Sequence, residues 1–264
     1  MELKTEKMIA EKADGIGWMT FNQPERRNAI SHEMREGMLA ILEDFEADPM
    51  VRVIVMKGAG HKAFVSGSDI SRPTKGAATP AALQRQGKLS GLVRERFATL
   101  AKPLIAMIRG YCLGGGVATA LHADLRIASD DSSFGIPAAR LGNAYNWHYT
   151  RMLVDIVGPA RAKEILITAR RYSAAEALQM GLVHQVVAPD ALEDTVRGVA
   201  AAIADNAPLS VIAAKAMINE AMKDSGARDM DKVAAVRKAC LESKDFAEGK
   251  RAFNEKREPR WTGS

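Results

Sequence analysis

Three consecutive glycines, Gly114 to Gly116, are the residues of this sequence whose type and position best suit chemistry. They separate an apolar run, Leu104 to Ile108, from an Ala-rich segment, Val117 to Ala123, that predicts a helix. Glycine lacks Cβ, so a ligand can approach its main chain closely. The first N–H groups of a helix have no partner within the helix, and such groups can hold a developing oxyanion. A tight turn from strand to helix is the alternative interpretation of the glycines.

The elements that must position these glycines alternate between strands and helices. Met8 to Ala13 and Ile16 to Phe21 predict two strands joined by the hairpin turn Asp14-Gly15. Ser31 is placed to cap a helix whose apolar residues recur at helical spacing. Short apolar runs predict further strands, buried on both faces, at residues 51–57, 104–108 and 125–128. This alternation predicts a layered α/β fold.

The second half of the sequence predicts mainly helices. Gly158-Pro159 marks the expected start of one helix, and Ser173 with Glu176 forms a capping box for a shorter one. From Ala191 onward the pattern is helical, with a break near Pro208 and others further on. The sequence therefore predicts an α/β core over residues 1–190 and a helical C-terminal region over residues 191–264.

Composition and charge disfavour several classes of function. The net charge is +5 and the pI is about 9.2, but basic residues are interleaved with acidic ones, which disfavours a nucleic-acid partner. No apolar run reaches the length of a membrane span, and the N-terminal residues lack the apolar core of a signal peptide, so a cytoplasmic protein is expected. Cys112 and Cys240 have no metal-ligand spacing, and no metal is expected.

Six sequence blocks, in this order and at these separations, resemble a known family. They read NQPERRNAIS, HKAFVSGSDI, IRGYCLGGGVATALHADLRIAS, FGIPAARLG, ARRYSAAEALQMGLVHQVV and AFNEKREPRW. Over residues 8 to 261 the sequence resembles the crotonase (enoyl-CoA hydratase/isomerase) superfamily. The resemblance implies a spiral of repeated ββα units with a helical C-terminal trimerisation region, assembled as a homotrimer or a dimer of trimers. It also implies an acyl-CoA thioester as substrate, with coenzyme A as part of that substrate and no separate cofactor.

The resemblance further implies an oxyanion hole made of two backbone N–H groups. By motif position these belong to Ser68 and Gly115. Ser68 stands where Ala or Gly is usual, but the donor is main chain, so the function is expected to survive the substitution. The residues that match the family's coenzyme A contacts are Arg26, Ala29, Ala63, Ser66, Asp69, Ile70, Phe253 and Lys256. In some members the last two reach coenzyme A from a neighbouring subunit; surface charge and helix packing are the alternative interpretations for the charged residues and Phe253.

This sequence departs from the family at both catalytic positions. Typical hydratases carry one glutamate two residues after the three glycines and another directly after the proline of the F-G-x-P block. Here those positions are Ala118 and Ala138. Addition of water needs a group that deprotonates water and a group that protonates carbon, and alanine is neither. The sequence therefore predicts that the two-glutamate hydratase mechanism is not available.

Polar residues near the F-G-x-P block are the candidate replacements. LGNAYN resembles the LGxPYN of methylmalonyl-CoA decarboxylases, which places Tyr145 where their tyrosine meets the substrate carboxylate; packing is the alternative. His148 is a candidate general acid or base, or else a structural histidine. His122, one helical turn beyond Ala118, is expected to bind a buried carbonyl rather than a ligand.

Three functions remain open on this basis. The first is an acyl-CoA enzyme that works through an enolate, with its proton donor among Tyr145, His148 or water. The second is a decarboxylase of a carboxylated acyl-CoA that uses Tyr145. The third is a non-catalytic member that binds acyl-CoA or RNA, which the missing glutamates at Ala118 and Ala138 would also fit.

Overall fold

The computed structural model describes residues 3–69 and 80–264, so Ile70 lies outside the described residues. The strands are β1 (Met8–Ala13), β2 (Ile16–Phe21), β3 (Val53–Gly58), β4 (Ala63–Val65), β5 (Leu104–Ile108), β6 (Tyr111–Leu113), β7 (Leu125–Ser129), β8 (Ser133–Gly135), β9 (Tyr172–Ser173) and β10 (Gln185–Val187). The helices are α1 (His32–Ala47), α2 (Pro80–Thr99), α3 (Gly115–Ala120), α4 (Trp147–Thr168), α5 (Ala174–Gln179), α6 (Leu192–Ala204), α7 (Pro208–Ala221), α8 (Met230–Leu241) and α9 (Lys244–Glu255).

The strands form two sheets, and the chain alternates between them. The larger sheet has the order β1-β2-β3-β5-β7-β10, and the smaller sheet has the order β4-β6-β8-β9. In three successive units, β3-β4-α2, β5-β6-α3 and β7-β8-α4, the first strand joins the larger sheet and the second joins the smaller one. Neighbouring units pair in parallel within each sheet. This repetition confirms the predicted spiral of ββα units.

Strand alternation gives the larger sheet two buried faces. Trp18, Val53 and Val55 share one face with α6, whose Val196 is fully buried there. The neighbouring strand residues, such as Met19, face the other way into the main core. Successive side chains of a strand point to opposite faces, so a run of apolar residues is needed where both faces are covered.

The hairpin turn and the helix caps that were predicted from the sequence are confirmed. Asp14 and Gly15 both have positive φ in the turn between β1 and β2, which pair antiparallel. Ser31 caps α1, since its hydroxyl accepts a hydrogen bond from the Met34 N–H at 3.3 Å. Ser173 and Glu176 form the expected capping box at α5. These motifs act within a few residues, so sequence alone locates them.

One helix boundary differs from the prediction, and one helical segment was not predicted. The helix after the glycines was expected over Val117 to Ala123, but α3 begins at Gly115, because the Gly114 carbonyl already accepts the Ala118 N–H at 3.0 Å. Within α4, Gly158 has non-helical φ 77° and ψ 163° and separates two helical segments, so the second segment opens at Gly158-Pro159 as expected. The first segment, which starts at Trp147, was not predicted.

The C-terminal region is helical, as expected, and its last residues are held in place. Buried Asp245 of α9 accepts hydrogen bonds from the N–H groups of Thr262 and Gly263 at 2.7 and 2.9 Å. The Trp261 indole N–H donates to the Asp205 carbonyl at 2.7 Å. Among the described helices none is by itself long and apolar enough to cross a membrane, although α6 and α7 together, bent by 102°, reach that length and composition.

Candidate active site

Two loops bring Ser68 and Gly115 together. The loop before Ser68 is fixed to the segment preceding α1, because the Ile30 N–H donates to the Gly67 carbonyl at 2.9 Å and the Asp69 N–H donates to the Ile30 carbonyl at 3.0 Å. A Cβ placed on Gly115 would lie 3.0 Å from both the backbone nitrogen and the Oγ of Ser68. The absence of a side chain at Gly115 therefore permits this approach.

The neighbouring glycine is required for a different contact. A Cβ on Gly116 would lie 1.9 Å from the Val65 carbonyl oxygen, so no other residue fits without moving the backbone. Within the described residues, the N–H groups of Ser68 and Gly115 donate to no protein acceptor. Two adjacent backbone donors that have no partner among the described residues are thus available to an oxygen atom of a ligand.

A cavity of about 290 Å³ adjoins these two donors, and Ser68 and Gly115 both form part of its wall. Ala118 lies on the same wall, so the position of the family's first glutamate does face the cavity and carries only a methyl group. Ala138, at the position of the second, packs against the hydrophobic core and is not among the wall residues. The structure therefore provides no carboxylate at either position.

Tyr149 supplies polar chemistry that the sequence analysis missed. It lies on the cavity wall together with Arg94 of α2. Burial raises the pKa of Tyr149, although Arg94 and Arg35 partly oppose the shift. The ring contacts His122 and His148 edge-on, with centroid separations of 5.7 and 5.4 Å. At neutral pH this phenol is protonated and can donate.

His122 also lies on the wall, stacked on Phe97 with ring centroids 4.6 Å apart. Its Nε2 is buried and has no hydrogen-bond partner among the described residues, so the expected bond to a carbonyl is not seen at that atom. Burial, followed by the nearby His148 and Arg94, lowers the pKa of His122 to about 3. The imidazole is therefore neutral at pH 7.

The two residues chosen from the sequence as catalytic side chains lie just behind this wall. The Tyr145 hydroxyl donates to the Gly114 carbonyl at 3.4 Å, and burial raises its pKa. His148 is half-buried, with its ring 5.8 Å from that of His122 and its Nε2 without a partner among the described residues. Burial first and Arg94 second lower the pKa of His148. Neither residue is among those that line the cavity.

Two arginines, Arg35 and Arg94, also lie on the cavity wall. Arg35 projects from α1, where one of its guanidinium N–H groups donates to the Ser31 carbonyl at 3.2 Å, and burial lowers its pKa. Arg94 projects from α2 beside the buried Val93. In sequence each arginine adjoins the apolar face of its helix, next to Met34 and Val93 respectively. This position beside an apolar face is the local sequence feature that could have indicated that the two arginines line a cavity.

The residues expected to surround coenzyme A fall into two groups. Arg26 and Asp69 form an ion pair at 3.0 Å, and the Ser66 N–H donates to the Arg27 carbonyl in the adjoining loop, close in sequence to Ala29. Ala63 is buried in β4, the strand that leads into this loop.

The C-terminal pair lies elsewhere within one chain. Phe253 is 84% exposed and lines a separate groove with Phe246 and Trp261. Lys256 ends α9 with φ 52°. A single chain does not bring these two residues to the cavity beside Ser68. In the described residues no group of three or more His, Cys, Asp or Glu side chains could hold a metal ion.

The chain is thus an α/β protein, a spiral of ββα units in which two neighbouring backbone N–H groups adjoin a cavity. Residues 11–264 match the profile of the enoyl-CoA hydratase/isomerase family, and the chain belongs to that family. It is 34% identical over 261 residues to a short-chain-enoyl-CoA hydratase from Clostridium acetobutylicum, covering 97% of each chain. It is 39% identical over 246 residues to a carnitinyl-CoA dehydratase from Proteus mirabilis, covering 90% of this chain and 92% of the other. The crystal structure of an enoyl-CoA hydratase/carnithine racemase from Magnetospirillum magneticum superposes with a TM-score of 0.92 at 30% identity, covering 99% and 97% of the two chains.

Proposed function

We propose that this protein is an acyl-CoA enzyme that stabilises a thioester enolate with the N–H groups of Ser68 and Gly115. The observation that carries the proposal is the pair of unpartnered donors beside the cavity. Preorganised donors stabilise the charge that develops on an oxygen, and removal of one typically costs about 2.7–4 kcal/mol, or roughly 100- to 1,000-fold in kcat. Stabilisation of this kind lowers the barrier to forming a carbanion next to the thioester.

In this reaction Tyr149 and His122, rather than glutamates, donate and accept the proton. Tyr149 is the proposed donor, since it lines the cavity and its raised pKa keeps the phenol protonated. His122 is neutral and lies on the same wall, so it can accept a proton, although a pKa of about 3 makes it a weak base while the cavity holds no anion. This assignment replaces Tyr145 and His148 by the residues that line the cavity.

Ordinary hydration is not the proposed reaction, because Ala118 and Ala138 supply no carboxylate to activate water. The relatives whose names describe hydratases and dehydratases support the ligand class rather than this reaction. Decarboxylation through Tyr145 has less support than enolate formation, since that hydroxyl donates to the Gly114 carbonyl and not into the cavity.

Deuterium exchange tests the proposal directly. A panel of acyl-, enoyl-, malonyl- and methylmalonyl-CoA thioesters is incubated with the protein in D₂O and followed by mass spectrometry. We expect deuterium at the carbon next to the thioester, and roughly 100-fold slower exchange in Tyr149→Phe, the lower part of the range for loss of general acid catalysis. Tyr111→Phe is the matched control, since Tyr111 lies on β6 between Arg27 and Arg171 and not on the cavity wall.

The same panel separates the alternatives. CO₂ release that is lost in Tyr145→Phe would favour the decarboxylase. Binding of thioesters with neither exchange nor product would refute catalysis on this panel and favour an acyl-CoA-binding protein. RNA affinity that falls steeply with salt would favour an RNA-binding role instead.

The proposed assembly is a homotrimer or a dimer of trimers, with the C-terminal helices at the contacts. Large apolar side chains of this region, including Phe253, Ile218 and Met230, are exposed in the single chain. Exposed apolar residues of this size are typical of interfaces. Light scattering coupled to size-exclusion chromatography would give three or six times the mass of 28.5 kDa, and a monomer mass would refute the proposal.

A further inference from the structure

We propose that the cavity beside Ser68 and Gly115 selects an acyl group that ends in a carboxylate, which Arg35 and Arg94 bind. The substrate is then the CoA monothioester of a short dicarboxylic acid. This inference rests on the proposed function, because it places the thioester at the same pair of N–H groups.

The first argument is uncompensated charge. Arg35 and Arg94 come from different helices and meet on the wall of one cavity. The described residues that line this cavity include no Asp or Glu, and neither arginine forms an ion pair with a described residue. Arg96, two residues further along α2, shows the usual arrangement, since it pairs with Glu46 at 2.8 Å. Both arginines are partly buried, and a charge that is partly withdrawn from water without a partner is unfavourable, so two of them on one cavity wall favour an anionic ligand.

The groups that face the two arginines are all neutral near pH 7. Tyr149, which lies on the same wall, has a raised pKa, while His122 and His148 have lowered ones. Arg35 also donates to the Ser31 carbonyl, which is a neutral acceptor. Neutral oxygen and nitrogen atoms satisfy hydrogen bonds of a guanidinium but leave its charge unbalanced. A carboxylate can balance that charge and accept paired hydrogen bonds from a guanidinium.

The size of the cavity limits the acyl group. At about 290 Å³ it lies at the lower end of the roughly 300–1,000 Å³ typical of small-molecule sites. The thioester oxygen takes one end, at Gly115, so the carboxylate must lie a short chain away. Four- and five-carbon dicarboxylic acids are the natural probes.

The bound carboxylate is expected to be retained in the product. In a succinyl or glutaryl thioester the carboxylate is not attached to the carbon next to the thioester, so loss of CO₂ would leave a carbanion that the thioester oxygen does not stabilise. Two arginines that hold the carboxylate stabilise the starting state more than the transition state, which slows that step. Arg35 and Arg94 therefore suit recognition of a group that does not react.

Paired thioesters test the inference by isothermal titration calorimetry. Succinyl-CoA is compared with butyryl-CoA, and glutaryl-CoA with pentanoyl-CoA, so each pair differs mainly in the terminal carboxylate. We expect the carboxylated member to bind about 10- to 100-fold more tightly, the range for hydrogen bonds to a charged group. Arg94→Met and Arg35→Met should each remove most of this preference, and Arg94→Lys should keep part of it.

Arg161→Met is the matched control, since Arg161 is an exposed residue of α4 that pairs with Glu164 at 2.8 Å, and it should keep the full preference. Equal affinity within each pair would overturn the inference and leave the proposed function intact. Failure of all four thioesters to bind would overturn the proposed function as well.

Discussion

The contact between Gly115 and Ser68 makes Gly115→Ala the sharpest perturbation of the proposed oxyanion site. The new Cβ would lie 3.0 Å from the Ser68 nitrogen. Favourable contact distances between heavy atoms begin near ~3.5 Å, so the Ser68 loop must move by about 0.5 Å. That displacement is as large as the ~0.5 Å within which catalytic groups must be held.

The cost in activity follows from this displacement. A misplacement of ~1 Å typically costs about 100-fold in rate, and complete loss of one donor costs roughly 100- to 1,000-fold. For Gly115→Ala we expect kcat for deuterium exchange to fall by about 10- to 100-fold, or ~1.4–2.7 kcal/mol of transition-state stabilisation. The affinity for the thioester should change much less, since the donors act mainly on the charged oxygen of the enolate.

The matched control is Gly198→Ala in α6, where an added Cβ meets no atom within 4 Å. This change should leave exchange intact and stabilise the fold by about 0.5–1 kcal/mol through helix propensity. Steady-state exchange kinetics and thermal unfolding are measured on both variants. An unchanged kcat in folded Gly115→Ala would refute the placement of the enolate oxygen at this pair of N–H groups.

Three other changes test charge and burial. At pH values between the ordinary His122 pKa of 6.5 and its folded value of about 3, only the unfolded chain binds the proton at this residue. The free energy of unfolding should therefore fall as the pH drops through this range, by about 1–2 kcal/mol from pH 7 to pH 5. In urea unfolding His122→Gln should show a smaller fall, and identical pH slopes for the two proteins would contradict the assignment. Ala118→Glu places a carboxylate on the cavity wall that also carries Arg94. It should raise Tm and weaken succinyl-CoA binding roughly 10-fold. An unchanged affinity in calorimetry would contradict an anion site on this wall. Asp245→Ala removes the buried carboxylate that accepts hydrogen bonds from Thr262 and Gly263, and it should cost about 1–3 kcal/mol in urea unfolding, with faster hydrogen exchange over residues 261–264. Unchanged exchange would show that other contacts hold the tail.

Most of the fold could be predicted from sequence, because its signals are local. The turn at Asp14-Gly15 and the Ser31 cap depend on residues within one turn of each other. The start of α4 could not be predicted in the same way. Its cap is Asn146, whose side chain accepts the His148 N–H at 3.0 Å, but aromatic residues such as Trp147 have weak helix propensity. Packing of the later apolar residues against the core decides that the helix forms there.

The candidate site likewise contains some residues that could be predicted from the sequence and some that could not. Ser68 and Gly115 were expected from motifs, and the structure brings their backbones together. The polar wall was not expected, since Arg35, Arg94 and Tyr149 come from three helices that are far apart in sequence. Their adjacency depends on how these helices pack around the cavity, and no pattern of local spacing encodes it. Tyr145, which a short motif indicated, lies four residues before Tyr149 and outside α4, and it is not among the residues that line the cavity.

The absence of the two glutamates and the presence of arginines on the cavity wall together determine the charge of the cavity. A glutamate at position 118 would neutralise part of the arginine charge, but Ala118 leaves the cavity with cations and neutral groups only. In the proposed complex the substrate supplies the missing carboxylate. Its negative charge would offset the effect of Arg94 on the pKa of His122, since an opposite charge nearby favours the protonated imidazole, whereas burial, the largest cause of the low pKa, would remain. We therefore expect the carboxylate that selects the substrate also to make His122 a stronger base.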